Sequence, residues 1–143
     1  MSVLAYHTTS PRFARLIAAG GFRVPARASH SRTDAPGMGG TFFRAVFVTP
    51  RKPTATRAYG PALITLRLSG KLIPYQARPG EGMVAAMQRH IRMAKRLGAA
   101  GVDMSPGWPD YGIMVVDPRA IRILKVQTRA FASRGYLWAD RAS

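Results

Sequence analysis

Apolar positions along this chain of 143 residues follow two rhythms, one typical of strands and one of helices. Short apolar or alternating runs bounded by Gly, Pro and Ser are typical of strands. We expect strands over 3–6, 42–49, 62–68, 102–104, 113–116 and 121–126. Because these strands are short and only a few helices interrupt them in uneven order, the pattern predicts an α+β fold rather than a doubly wound sheet.

The first helix is predicted to follow the first strand directly. Ser10 suits the N-cap position and Pro11 the first helical position. Phe13, Leu16 and Ile17 recur at helical spacing and are expected to face the core, and the pair Gly20-Gly21 is expected to end the helix.

Two more helical segments are predicted further along. The longer covers 83–97, and its apolar stripe consists of Val84, Met87, Ile91 and Ala94. A short helix is predicted over 54–59, and His90 is expected on a helix surface. Asp103 is expected to stabilise a turn, and Asp117 before Pro118 to cap a helical turn.

The length predicts one domain, which we place at 1–126, with 127–143 as a tail packed on it or partly mobile. Residues 23–41 read as a long loop, and an uninterrupted loop of that length is usually functional. The apolar runs are too short for a bilayer and the start lacks a signal-peptide pattern, so we expect a cytoplasmic location and no membrane partner.

Charge is the unusual property of this sequence. Twenty-two Lys and Arg residues oppose six Asp and Glu, which gives a net charge of +16. Such a field attracts phosphate and acidic surfaces, so the expected partner is an acidic protein or nucleic acid. The arginines are spread along the chain, which also fits a compositional bias. The sequence has no cysteine and no zinc-binding spacing, so no metal site is expected.

Three groups of residues stand in an order that resembles a known fold. Tyr6-His7-Thr8 precedes a helix that closes with Gly20-Gly21-Phe22. Val46-Phe47-Val48-Thr49 precedes a segment with Ala55 and Tyr59. The pattern ends with Gly101-Val102-Asp103-Met104 and with the run from Ile113 through Asp117-Pro118 to Leu124. Together they resemble the ADP-ribosyltransferases of the diphtheria-toxin type, which have a split β-sheet core, and small phage anti-CRISPR ADP-ribosyltransferases.

This resemblance implies that NAD is the substrate and implies roles for four residues. His7 would hydrogen-bond the adenosine ribose, and the Thr8 backbone would pair with the nicotinamide amide. Tyr59 would stack on the nicotinamide ring. An arginine beside a loop could hold the pyrophosphate, and the candidates are Arg12, Arg23, Arg27 and Arg57. A phage or bacterial effector, acting in the host cytoplasm if phage-encoded, is the setting that the resemblance suggests.

One position departs from the family. Its catalytic Glu would begin the strand before Asp117-Pro118, and Gly112 stands there. Asp110 is the nearest carboxylate, and with His7 and Tyr59 it completes the predicted catalytic set; Glu81 is the second candidate. Two hypotheses follow: an NAD-dependent mono-ADP-ribosyltransferase acting on a macromolecule, or a non-catalytic basic protein of the same fold that binds nucleic acid or a protein partner.

Overall fold

The computed structural model describes residues 2–23, 32–33, 41–56, 58, 60–109 and 112–140. Strands within these ranges are β1 Ser2–Thr9, β2 Arg32–Thr33, β3 Thr41–Phe42, β4 Val46–Val48, β5 Ala62–Ser69, β6 Leu72–Pro74, β7 Gly101–Asp103, β8 Ile113–Val115, β9 Ile121–Ala132 and β10 Gly135–Asp140. The helices are α1 Pro11–Gly20 and α2 Met83–Arg96, with a 3-10 turn at Pro118–Ala120.

Eight of these strands form two sheets. The first sheet is antiparallel throughout, in the order β1-β5-β9-β10. The second sheet has the order β4-β8-β7-β6, and its β6–β7 pair is parallel. The strands β2 and β3 pair with each other separately. This arrangement confirms the predicted α+β class.

The molecule is layered, with the second sheet in the middle. Its strands are three-residue runs, nearly all apolar, and β8 in the middle is buried throughout, as expected for a strand covered on both faces. Val46, Val48, Ile113 and Val115 pack against one face of the first sheet, here called the inner face, which carries Ala5, Ile64, Leu66 and Leu68. The opposite face of the second sheet packs against α2. Burying each large aliphatic side chain contributes about 1.5–3 kcal/mol.

The ends of α1 match the sequence prediction, but its buried face does so only in part. The Ser10 hydroxyl accepts a hydrogen bond from the Phe13 amide, and Gly21 has φ of 79°, which confirms both ends. Ala14 is the residue buried against the inner face, whereas Phe13 and Leu16 are 52% and 59% exposed. The prediction is confirmed for Ile17, which packs partly buried against the core, and wrong for Phe13 and Leu16, because a helix lying close to a sheet needs a small residue at the contact.

The apolar stripe of α2 is confirmed, and His90 joins it. Met87, Ile91 and Ala94 are buried. His90 is 2% exposed, so its predicted surface position is wrong. Its ring can be buried because both nitrogens have partners: Nδ1 bonds to the Ala86 carbonyl and Nε2 accepts from the Gln76 amide.

The last part of the chain departs most from prediction. The strand predicted to end at 126 runs to Ala132, turns, and returns as β10. Residues 127–132 form neither an apolar run nor a strict alternation of apolar and polar residues, which hid their strand character. Residues 55–56 form a turn rather than part of the predicted helix over 54–59, and most of the predicted loop 23–41 lies outside the described residues. Within the described chain, neither helix has both the length and the hydropathy to cross a membrane.

Candidate functional site at the junction of the two sheets

Besides their packed faces, the two sheets are joined in the described chain by a backbone bridge between Tyr6 in β1 and Thr49 just after β4. The Tyr6 amide donates to the Thr49 carbonyl at 2.8 Å, and the Thr49 amide donates back at 2.9 Å. We call this pair the junction. Since Tyr6 points its backbone groups toward β4, alternation directs those of Thr8 to the same side, away from β5. On either side of the junction, the described strands pair within their own sheets.

His7 lies directly after Tyr6 and spans the junction from its inner side. It stands opposite Ile64 of β5, and its Nδ1 lies 2.8 Å from the Phe47 carbonyl of β4. Phe22 packs edge-on against the imidazole, with ring centroids 5.2 Å apart. His7 therefore links β1 of the first sheet to β4 of the second.

The hydrogen bond to Phe47 decides the tautomer of His7, and burial decides its protonation state. A carbonyl only accepts, so Nδ1 must carry the hydrogen. Burial lowers the pKa of His7, against the smaller raising effect of the Phe47 carbonyl, so the ring is neutral at neutral pH and Nε2 is an acceptor. Among the described residues nothing bonds to Nε2. The ring thus offers an acceptor that suits a hydroxyl or amide donor.

Two further segments meet at this junction. Gly60 lies against the end of β1, because a Cβ built on it would stand 2.4 Å from the Thr9 carbonyl oxygen. On the other side, the Thr49 hydroxyl donates to the Pro109 carbonyl at 2.7 Å. The chain next to residue 59 is therefore anchored at Thr9, two residues after His7, and the chain next to residue 110 at Thr49, the partner of Tyr6.

Gly112, which the sequence resemblance matches to a catalytic glutamate, has no room for a side chain. Its φ is +24°, and a Cβ would lie 2.3 Å from Pro50 Cδ and 3.2 Å from Thr49 Cα. Backbone of this conformation is strained for any residue but glycine. A carboxylate at this site must therefore come from another position.

The remaining predicted site residues lie in β1, in α1 or outside the described residues. Thr8 is partly buried in β1, opposite Leu63. Arg12 is exposed in the first turn of α1. Tyr59 and Asp110 lie outside the described residues, so their side chains stay predictions. Sequence reasoning missed Thr49, whose position after a buried apolar strand marks it as an end-of-strand polar residue.

None of the four carboxylates in the described chain serves His7. Glu81, the second catalytic candidate, accepts two 2.8 Å bonds from Arg89, and this partner lowers the Glu81 pKa to about 2. Asp103 accepts from the Ser105 amide and hydroxyl, as predicted for a turn. The other two pair as Asp117 with Arg119, which confirms the predicted cap, and Asp140 with Lys125. In the described ranges, no cluster of acidic and His side chains could hold a metal.

A shallow apolar depression of about 270 Å³ lies at the far edge of the second sheet. Tyr75 and Trp108 line it, with ring centroids 5.9 Å apart, and Asp103 is at its rim. Because Asp103 already bonds to Ser105 and β6 is the strand farthest from β4, this depression is separate from the junction. Its described lining residues include no cation that could bind a pyrophosphate.

In comparisons with protein-family models, with curated proteins and with solved structures, nothing matches this chain. The properties of the site therefore follow from its own residues and geometry.

Proposed function

We propose that this chain binds NAD at the junction and transfers its ADP-ribose to a macromolecule. One observation carries the proposal: the chain next to residue 59 lies against Thr9, two residues after His7, and the chain next to residue 110 is bonded to Thr49, which pairs with Tyr6 directly before His7. The three predicted residues come from distant parts of the sequence. Segments that flank all three reach the same end of β1, as a shared site requires.

The state of His7 suits the proposed role. A neutral ring with Nδ1–H held by Phe47 turns Nε2 into an acceptor, which is what a ribose hydroxyl donor needs. The Phe47 bond also fixes the ring, so no ordering of the ring is required when the ligand binds. Arg12, exposed in the first turn of α1, supplies a charge-assisted partner for pyrophosphate.

In the proposed reaction the bond between the ribose C1′ and the nicotinamide nitrogen breaks. The electron pair leaves with nicotinamide, which becomes neutral, and C1′ gains oxocarbenium character. A nucleophilic atom of the acceptor attacks C1′ and loses its proton to solvent or a base. A carboxylate near C1′ stabilises the developing charge, and Asp110 is the residue proposed for it. The net charge of +16 favours an acidic protein or nucleic acid as acceptor.

The first experiment is thermal unfolding with and without millimolar NAD. We expect NAD to raise the Tm of the wild type by mass action. His7→Asn keeps a donor in the place of Nδ1 but lacks Nε2, so it should fold and lose the NAD shift. Arg12→Ala should reduce the shift, while Arg15→Ala, one turn further along α1, is the matched control. No NAD shift in the wild type would overturn the proposal.

A second candidate is a binding protein without catalysis, which the packing of Gly112 favours because it excludes the usual glutamate. Incubation with labelled NAD and acceptor proteins or oligonucleotides separates the two. Label transfer by the wild type that is lost in Asp110→Asn supports the enzyme. The absence of both an NAD shift and any transfer, in wild type and variant alike, supports the binding protein, whose ligand is nucleic acid or a protein partner.

A further inference from the structure

The face of the first sheet that turns away from the second sheet, here called the outer face, is covered by cations and aromatic rings. Side chains alternate along a strand, and residues paired across an antiparallel sheet share a face. The register therefore places these exposed residues on the outer face together: Leu4, Arg67, Arg122, Lys125, Arg129, Phe131 and Tyr136.

Only one end of the outer face is covered among the described residues. There the Trp138 indole donates to the Pro53 carbonyl at 2.8 Å, and Leu63 and Gln127 are buried. Away from this end the sheet is open. The described chain thus leaves one face of the first sheet largely exposed, whereas the second sheet is covered by the first sheet on one face and by α2 on the other.

Like charges face each other on the open part. Arg67 of β5 is paired directly with Arg122 of β9, and the described polar partner of Arg67 is the Ser2 hydroxyl, at 3.2 Å. Like charges directly opposite in a sheet repel. The carboxylate on this face, Asp140, pairs with Lys125. An anion lying between Arg67 and Arg122 would remove their repulsion.

Aromatic rings continue the cationic row toward the hairpin end. Phe131 is 74% exposed and Tyr136 50%, and they meet edge to face with centroids 5.4 Å apart. Arg129 lies over the Tyr136 ring at 4.9 Å. Exposed rings next to cations offer stacking surfaces for flat, negatively charged ligands.

We propose that the outer face binds single-stranded nucleic acid. Phosphates would contact Arg67, Arg122 and Lys125, and bases would stack on Phe131 and Tyr136. The run from Arg122 to Phe131 extends about 30 Å along β9, enough for several nucleotides. Cations interleaved with rings on a flat sheet fit a strand with unpaired bases better than a duplex, whose bases are inside.

This inference is independent of NAD, since it involves the outer face and His7 lies on the inner side. Its test uses fluorescein-labelled oligonucleotides of about 15 residues, dT and U, followed by anisotropy at several salt concentrations. The wild type should bind at 150 mM salt, with a slope of log K against log salt that reports the phosphates contacted.

Two double variants, each with two charges fewer, locate the site. Arg67→Ala with Arg122→Ala should weaken binding at least tenfold and flatten the salt slope by about 1.4, since each phosphate contributes about 0.7 for a single strand. Arg92→Ala with Lys95→Ala removes two exposed cations from α2 and should change affinity less than threefold. Phe131→Ala keeps all charges and should weaken binding about tenfold by loss of stacking.

Binding of DNA alone, RNA alone or both would support the proposal and identify the ligand. Equal losses from the outer-face pair and the α2 pair would overturn it, because binding would then follow total charge. No binding by the wild type at 150 mM salt would also overturn it. The same variants are also tested for binding to phosphatidylserine vesicles. If the Arg67→Ala/Arg122→Ala and Phe131→Ala variants kept their affinity for oligonucleotides but lost binding to these vesicles, the proposal would also be overturned. Thermal unfolding of each variant verifies its fold.

Discussion

The two faces of the first sheet are built from the same four strands but have opposite chemistry. On the inner face, Leu66 and Leu68 are at most 1% exposed and pack on the second sheet. Between them, Arg67 reaches solvent on the outer face beside another arginine. A single alternating strand therefore separates the part of the molecule that stabilises the fold from the part that is available to ligands. The variants that follow test this separation.

The largest effect is expected at the junction, from Gly112→Glu. The added side chain would collide with Pro50. In addition, the backbone at this position has a conformation that is strained for residues other than glycine. We expect a loss of at least about 3 kcal/mol in the free energy of unfolding, measured by urea denaturation. Gly107→Glu is the matched control, because its nearest atom would be 3.9 Å away. Equal stability of the two variants would contradict the described packing.

On the inner face, Leu66→Ala should cost about 2–5 kcal/mol in the free energy of unfolding. Leu66 is fully buried, so truncation leaves a cavity between the sheets. Urea denaturation of this variant and of Arg67→Ala, one residue along, compares the two faces directly. Arg67→Ala should stay within about 0.5 kcal/mol of the wild type. If the two variants lost similar stability, the division between the faces would be wrong.

At the junction, acid should weaken the wild type through His7. Burial lowers the His7 pKa below its ordinary 6.5, so below pH 6.5 the unfolded chain binds a proton that the folded chain resists. Stability from the neutral ring is thus complete above pH 6.5 and is lost as pH falls. Melting curves from pH 7.5 to 5 should show a larger Tm decrease for wild type than for His7→Asn. Parallel decreases would exclude His7 as the group responsible.

On the outer face, Arg67→Glu should have the smallest effect, and a stabilising one. It replaces a repulsive cross-strand pair with an attractive one opposite Arg122, worth about 0.2–1 kcal/mol. The same change made in an Arg122→Ala background should give no such gain in urea denaturation. A gain that persists there would show that the repulsion is not the cause. This variant should nevertheless bind oligonucleotides more weakly, which separates stability from binding.

Local rules were enough to predict the helices, but not the tertiary context of their residues. The Ser10 cap and the glycines after α1 act within a few residues, so the sequence alone located them. The burial of His90 could not be predicted, because it depends on the Gln76 amide in another segment. The β9–β10 hairpin was missed because its outer side is polar and aromatic rather than apolar.

The site was predicted in the same uneven way. The resemblance singled out His7, and its fixed ring comes from a Phe47 carbonyl that no local pattern reveals. Gly112 was recognised as a departure, while the steric reason for it depends on Pro50 and Thr49, about sixty residues away. The cations of the outer face could have been found earlier, because Arg67 and Arg122 each interrupt an apolar strand at alternating positions.

The strand order of the first sheet has a consequence for synthesis. Ser2 pairs with Ser69, and Ala62 in turn pairs with Thr128. During synthesis β1 must therefore wait for β5, and β5 for β9, with their apolar sides uncovered meanwhile. Contacts so distant in sequence slow folding, and exposed strands of incomplete chains associate readily. We expect the nascent chain to depend on chaperones until β9 has emerged.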